Sequence, residues 1–151
     1  MSILDMLLED HKLLVKNMEN IIIVVIRPFF DCKNIELKKL FELFNKQFST
    51  HHFVEEEIFY PTLLLSPYLR TRILKSYQFH DLIQNTINEL RILPIEDNES
   101  WGSKFMVLRE IILLHLKEEE NEIFPVANEI LPESEKELLA KKVQERCKEF
   151  Q

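Results

Sequence analysis

Apolar residues return every three or four positions through four long stretches of this chain, and the gaps between the stretches hold four of its six prolines. That period marks one face of an α-helix rather than the alternation of a half-buried strand. The first stretch runs from about residue 2 to residue 27. Ser2 and Asp5 form a capping box at its start, and Pro28 stops it. The second runs from about 34 to 66, with Asn34 as its N-cap and Pro67 beyond its end. The third covers about 68 to 93, before Pro94, and the fourth about 100 to 131, before Pro132. A shorter amphipathic segment, about 133 to 150, reads as a fifth helix docked on the outside. Long helices with short connections predict an all-α, up-down-up-down four-helix bundle over about 2–131. The chain, 1–151, is expected to form a single domain.

Composition agrees with this pattern. Gly102 is the only glycine, which leaves a β-rich fold without its turn residues. The net charge of −7 argues against nucleic acid and anionic membrane surfaces as partners. The run Ile21–Ile26 is far too short to cross a bilayer, and the start Met1-Ser2-Ile3-Leu4-Asp5 lacks the positive charge of a secretory leader. Cys32 and Cys147 are isolated thiols without metal spacing. The expectation is a cytoplasmic protein.

An internal repeat carries the chemistry. The segment from His51 to Pro61 aligns with that from His115 to Pro125 at an offset of 64 residues. In both, a glutamate (Glu55, Glu119) follows the histidine by four residues, one helical turn along the same face. His51 is in phase with Leu37, Leu40, Phe44 and Ile58, and His115 with Leu108, Ile111, Ile112 and Val126. In the first helix His11 is in phase with Leu4, Leu7, Leu8, Val15, Met18 and Ile22. In the third, His80 is in phase with Leu69, Ile73 and Ile87. Each helix thus sends one histidine inward, and two helices add a glutamate.

Burying two charged glutamates unpaired costs several kcal/mol each, and no lysine or arginine shares their face at that level. A pair of metal ions supplies the missing charge. Imidazole suits iron, zinc and copper, and carboxylates bridge metals in helical bundles. Two histidines per metal, two bridging carboxylates and an oxo or hydroxo bridge give about five ligands each, leaving a position for O2, NO or peroxide. His52 lies a quarter-turn round the helix from His51 and reads as a boundary residue, with a substitute-ligand role as the alternative. Glu56, Glu57, Glu118 and Glu120 read as solvated. Phe41, Phe44, Phe48, Phe53 and Phe59 read as core packing, and Pro61 and Pro125 as kinks or helix ends.

The paired His-x3-Glu…Pro segments, with His11 inside Glu9-Asp-His-Lys and His80 inside Phe79-His-Asp-Leu, resemble the hemerythrin-like HHE cation-binding family over residues 2 to 131. The resemblance implies a non-haem di-iron centre on His11, His51, Glu55, His80, His115 and Glu119. Oxygen-carrying members place another histidine four residues after the helix-3 ligand, where this chain has Gln84, and their helix-4 carboxylate one residue later, where it has Glu120. The four-histidine, two-glutamate set is more similar to the di-iron proteins that repair iron–sulfur centres. Three roles follow: a protein that binds or senses O2, NO or peroxide in stress or repair, a peroxidase- or oxidase-like enzyme, and a metal-stabilised interaction module.

Overall fold

Ser2 opens the first helix as its sequence suggests. Its hydroxyl accepts from the Asp5 backbone N–H, and the Asp5 carboxylate accepts from the Ser2 N–H. A computed structural model of the chain describes residues 1–28, 30 and 32–149. Helix α1 is Ile3–Ile26 and α2 is Lys33–Val54. A π-helical turn, Glu55–Phe59, joins α2 to the short α3, Tyr60–Leu63. Helix α4 is Arg70–Ile92 and α5 is Asn98–Glu118. A second π-helical turn, Glu119–Ile123, leads into α6, Phe124–Ile130, and α7 is Glu133–Glu149. The two π turns make continuous rods of residues 33–63 and 98–130, so four rods form the bundle. Rod neighbours α1–α2, α4–α5 and α1–α5 pack together, and α7 lies against α1 and the first π turn. The expected end of the fifth helix at Phe150 falls outside the described residues.

Several boundaries differ from the sequence reading. Cys32, not Asn34, precedes the second helix, with a left-handed backbone at φ 71°. Asn34 instead accepts from the Asn98 amide at 2.9 Å, tying the starts of α2 and α5 together. Asp97 caps α5 two residues earlier than expected by accepting from Ser100 N–H. The second rod ends at Leu63, and the third starts at Arg70 rather than residue 68.

Pro61 and Pro125 explain the π turns. A proline ring clashes with the carbonyl four residues before it. Widening the preceding turn relieves that clash, and the Tyr60 and Phe124 N–H groups bond back five residues, to Glu55 O and Glu119 O.

The interior is apolar above and below a polar layer. One cluster includes Leu4, Leu7, Val54, Phe59, Leu63, Leu69, Ile73 and Ile123. The other includes Leu14, Met18, Phe44, Phe48, Ile83, Trp101, Phe105 and Ile112. Each such side chain contributes about 1.5–3 kcal/mol on full burial. On α1 the buried stripe is Leu4, Leu7, His11, Leu14, Met18 and Ile21. Leu8, Val15 and Ile22, assigned to that face from sequence, stand at its half-buried edge, with Val15 on a cleft shared with α5. Gly102 permits the close approach of α5: a Cβ there would meet Val25 Cγ1 at 2.6 Å.

Candidate metal centre

The polar layer holds the six residues expected from the repeat and from the helix phases of His11 and His80. His11, His51, Glu55, His80, His115 and Glu119 are all buried at 2 % exposure or less. Glu55 and Glu119 are the first residues of the two π turns, one α-helical turn after His51 and His115 and on the same inward face. The six form two ligand groups that share Glu55. One is His11, His51, Glu55 and Glu119; the other is Glu55, His80 and His115.

The spacing tests whether metal ions fit. Two donors about 2.1 Å from one ion stand about 3.0 Å apart at right angles and about 3.4 Å apart at a tetrahedral angle. His51 Nε2 lies 3.1 Å from Glu55 Oε1, and His80 Nε2 lies 3.3 Å from the same oxygen. His115 Nε2 lies 3.0 Å from Glu119 Oε1 and 3.0 Å from His80 Nε2. His11 Nε2 is 3.6 Å from Glu119 Oε1. In the first group, His11 Nε2, His51 Nε2, Glu55 Oε1 and Glu119 Oε1 are buried and make no hydrogen bond. Buried polar atoms almost always have a hydrogen bond, so four that lack one and face one another around one point call for a cation. Among the described residues no lysine or arginine forms an ion pair with Glu55 or Glu119.

A family model for the hemerythrin HHE cation binding domain matches residues 2–127. The chain belongs to the hemerythrin HHE family. No curated protein and no solved structure matches it. This hemerythrin-family chain therefore carries a cation-binding domain, and its buried His/Glu layer fits a metal site.

The outer edges of three of the four histidines in this hemerythrin domain face carboxylates. His51 Nδ1 meets Asp10 Oδ2 at 3.1 Å, His80 Nδ1 meets Glu56 Oε1 at 3.5 Å, and His11 Nδ1 meets Glu120 Oε1 at 3.7 Å. Such partners fix the ring and turn its other nitrogen inward. Sequence reading left Glu56 and Glu120 as solvated and did not single out Asp10. The signal for Asp10 was its place beside His11; the signal for the glutamates was their place beside Glu55 and Glu119.

Tyr60 was also missed. It is buried, and its hydroxyl donates toward Glu55 Oε2 at 3.2 Å and Glu119 Oε2 at 3.1 Å. Its ring stacks on His80, as Phe124 stacks on His11. Its signal was the repeat itself, where Tyr60 aligns with Phe124. Gln84 does not enter the layer: its amide donates to Asn88 Oδ1 at 3.0 Å, on the outer side of α4.

Charge in the metal-free layer is divided unevenly. Burial lowers the His115 pKa to about 3 and, with the nearby His51 charge, lowers that of His11 to about 4. Burial opposes protonation of His51 too, but Glu55 and Asp10 overcome it and raise its pKa to about 9. Glu55 is held well below the usual carboxylate range: burial would raise it, and His51 outweighs that. Glu119 is pushed well above it by burial and by repulsion from Glu55. Burial and the two carboxylates push Tyr60 well above the usual phenol range, so it remains a proton donor.

Proposed function

We propose that this chain holds two iron ions on His11, His51, Glu55, His80, His115 and Glu119, and that the pair binds or senses O2, NO or peroxide in oxidative or nitrosative stress. The convergence of four buried donor atoms without hydrogen bonds carries the reading. When bound, an iron pair supplies one-electron redox chemistry and a position for a small ligand.

The protein's own groups then have definite tasks. Glu55 and Glu119 balance the charge of the ions, and the four imidazoles add neutral nitrogen donors. Asp10, Glu56 and Glu120 hold three of those rings in register. Tyr60 keeps a proton on its hydroxyl beside both carboxylates. Phe124 and Phe59 exclude water from one side of the layer, and Phe48 from the other. A cleft of about 500 Å³ between α1 and α5 has Val15, Leu113 and Leu116 on its walls and reaches His11. Lys12, Lys117 and Glu120 also line it, while its walls next to His11 are largely apolar and suit a small molecule, which favours ligand handling over a purely structural metal.

No helix among the described residues is long and apolar enough to cross a membrane. Both thiols are free, which accords with our placing the protein in the cytoplasm. The test is elemental analysis of native protein together with the absorption spectrum of the reduced form before and after adding NO. Two irons per chain and a new visible band are expected. Trace metal only, or zinc with no response to NO, overturns the reading.

A further inference from the structure

A second His-x3-Glu pair lies one residue after the first: His52 and Glu56 follow His51 and Glu55. One residue is a rotation of about 100°, so this pair points out of the bundle toward α4. His52 Nε2 lies 2.6 Å from Glu56 Oε2, and the other oxygen of Glu56 lies 3.5 Å from His80 Nδ1. The His52 and His80 rings are 4.3 Å apart between centroids. These three residues bring one donor atom each within 4.8 Å of one another. His80 is fully buried, and its Nδ1 has no hydrogen bond. His52 and Glu56 line a surface cleft of about 330 Å³ together with Glu57 and Asp81, and His80 lies buried behind them.

We propose that His52, Glu56 and His80 form an outer, transient site for a divalent first-row cation, through which ions enter and leave the inner centre. His80 is the shared member. Its Nδ1 edge faces Glu56, which lines the cleft, while its Nε2 edge faces Glu55 and His115. An ion captured by His52 and Glu56 is one imidazole away from the inner group. The acidic rim draws cations in, and a histidine with a carboxylate suits the same metals as the inner donors.

The repeat provides an internal comparison. At the offset of 64 residues, Glu56 matches Glu120 and His52 matches Leu116. Glu120 faces His11 Nδ1 just as Glu56 faces His80 Nδ1. On that side, however, the cleft wall is Leu116, a side chain that holds no ion. The outer site therefore exists on one side only, and His52 creates it. Glu56 keeps its orienting role toward His80 when no ion is in transit.

This inference rests on the inner centre proposed above, and the experiment separates the two. Cobalt(II) alone is mixed with metal-free full-length chain in a stopped-flow instrument, and its uptake is followed by visible absorption. Release is then driven by a chelator. Final content is measured by elemental analysis. His52→Leu, which installs the residue that the other half already accepts, should fold normally by circular dichroism and reach two ions per chain. Both its uptake and its release should slow by about tenfold or more. His52→Asp, which returns an oxygen donor, should recover most of the rate. Uptake and release at the unmodified rate in His52→Leu overturn the outer site. So does a final content below two in that variant, which places His52 in the inner centre, and so does failure of His52→Asp to recover the rate. If the unmodified chain takes up no cobalt, the inner centre itself is wrong.

Discussion

Tyr60 and Phe124 hold equivalent places in the two halves of the bundle, but only Tyr60 brings a hydroxyl into the metal layer. Each ring stacks on a buried histidine, Tyr60 on His80 at 5.5 Å and Phe124 on His11 at 5.4 Å between centroids. The Tyr60 hydroxyl then spans Glu55 and Glu119. The layer is thus nearly symmetric in its ligands and asymmetric in its proton donors.

Tyr60→Phe isolates that hydroxyl. The ring is retained, and phenylalanine already fits the equivalent place, so the bundle and its metal content should survive. Loss of the two hydrogen bonds should cost about 1–3 kcal/mol of stability. The near-ultraviolet and visible bands of the iron-loaded protein should shift, as should the decay of its NO adduct. Unchanged spectra and unchanged decay would remove Tyr60 from the site's chemistry.

His51→Ala and His52→Ala should differ sharply in final metal content. His51 is buried with Nε2 on the inner group, whereas His52 is 21 % exposed and faces the outer cleft. His51→Ala should lower metal affinity by at least about tenfold, and His52→Ala should leave equilibrium content near that of the unmodified chain. Competition titration with a chromogenic chelator measures both. Equal losses would mean that the two histidines share the inner site.

Asp10→Ala removes the partner of His51 Nδ1 without touching any inner donor. Outer partners of this kind are worth about 10–100-fold in metal affinity. A loss in that range is expected, and the metal-free chain should also melt lower, because Asp10 is one of the two carboxylates that hold His51 protonated. Full retention of affinity would make the contact incidental.

Metal removal should destabilise the fold, because ions that bind only the folded chain add their binding free energy to folding. At about a thousandfold excess over the dissociation constant the gain is roughly 4 kcal/mol, or a rise in melting temperature of about 8–16 °C. Helix α1 should loosen first, since its polar ties to the layer are His11 with its Glu119 and Glu120 contacts and Asp10 with His51. Hydrogen exchange should show faster exchange in residues 3–26 of the metal-free chain than of the loaded one. Equal melting temperatures and equal exchange would break the link between metal and fold.

Phe105→Ala tests whether fold and site can be separated. Phe105 is fully buried in the apolar cluster with Trp101 and Phe44 and contacts none of the six donors. Its loss should cost about 3–5 kcal/mol, while metal stoichiometry stays the same. A thermal melt and elemental analysis together decide it.

The sequence alone carried the bundle and the six polar side chains buried inside it. Helical period and proline placement depend on local backbone geometry, and a face shared by His51, Glu55 and their apolar neighbours follows from 3.6 residues per turn. The repeat at 64 residues then tied the two glutamates to one level. Other features were decided only in three dimensions. The π turns arise from a clash between each proline ring and the turn before it, and they widen the helix just after the level of Glu55 and Glu119. The buried stripe on α1 kept Leu4, Leu7 and Met18, took in Leu14 and Ile21, and left Leu8, Val15 and Ile22 at its edge, because its exact orientation depends on which helices pack against it. Asp10, Glu56, Glu120 and Tyr60 gained their roles from partners on other helices or across a turn. A carboxylate next to a ligand looks solvated in one dimension. Whether it orients an imidazole depends on where the neighbouring helix places that ring.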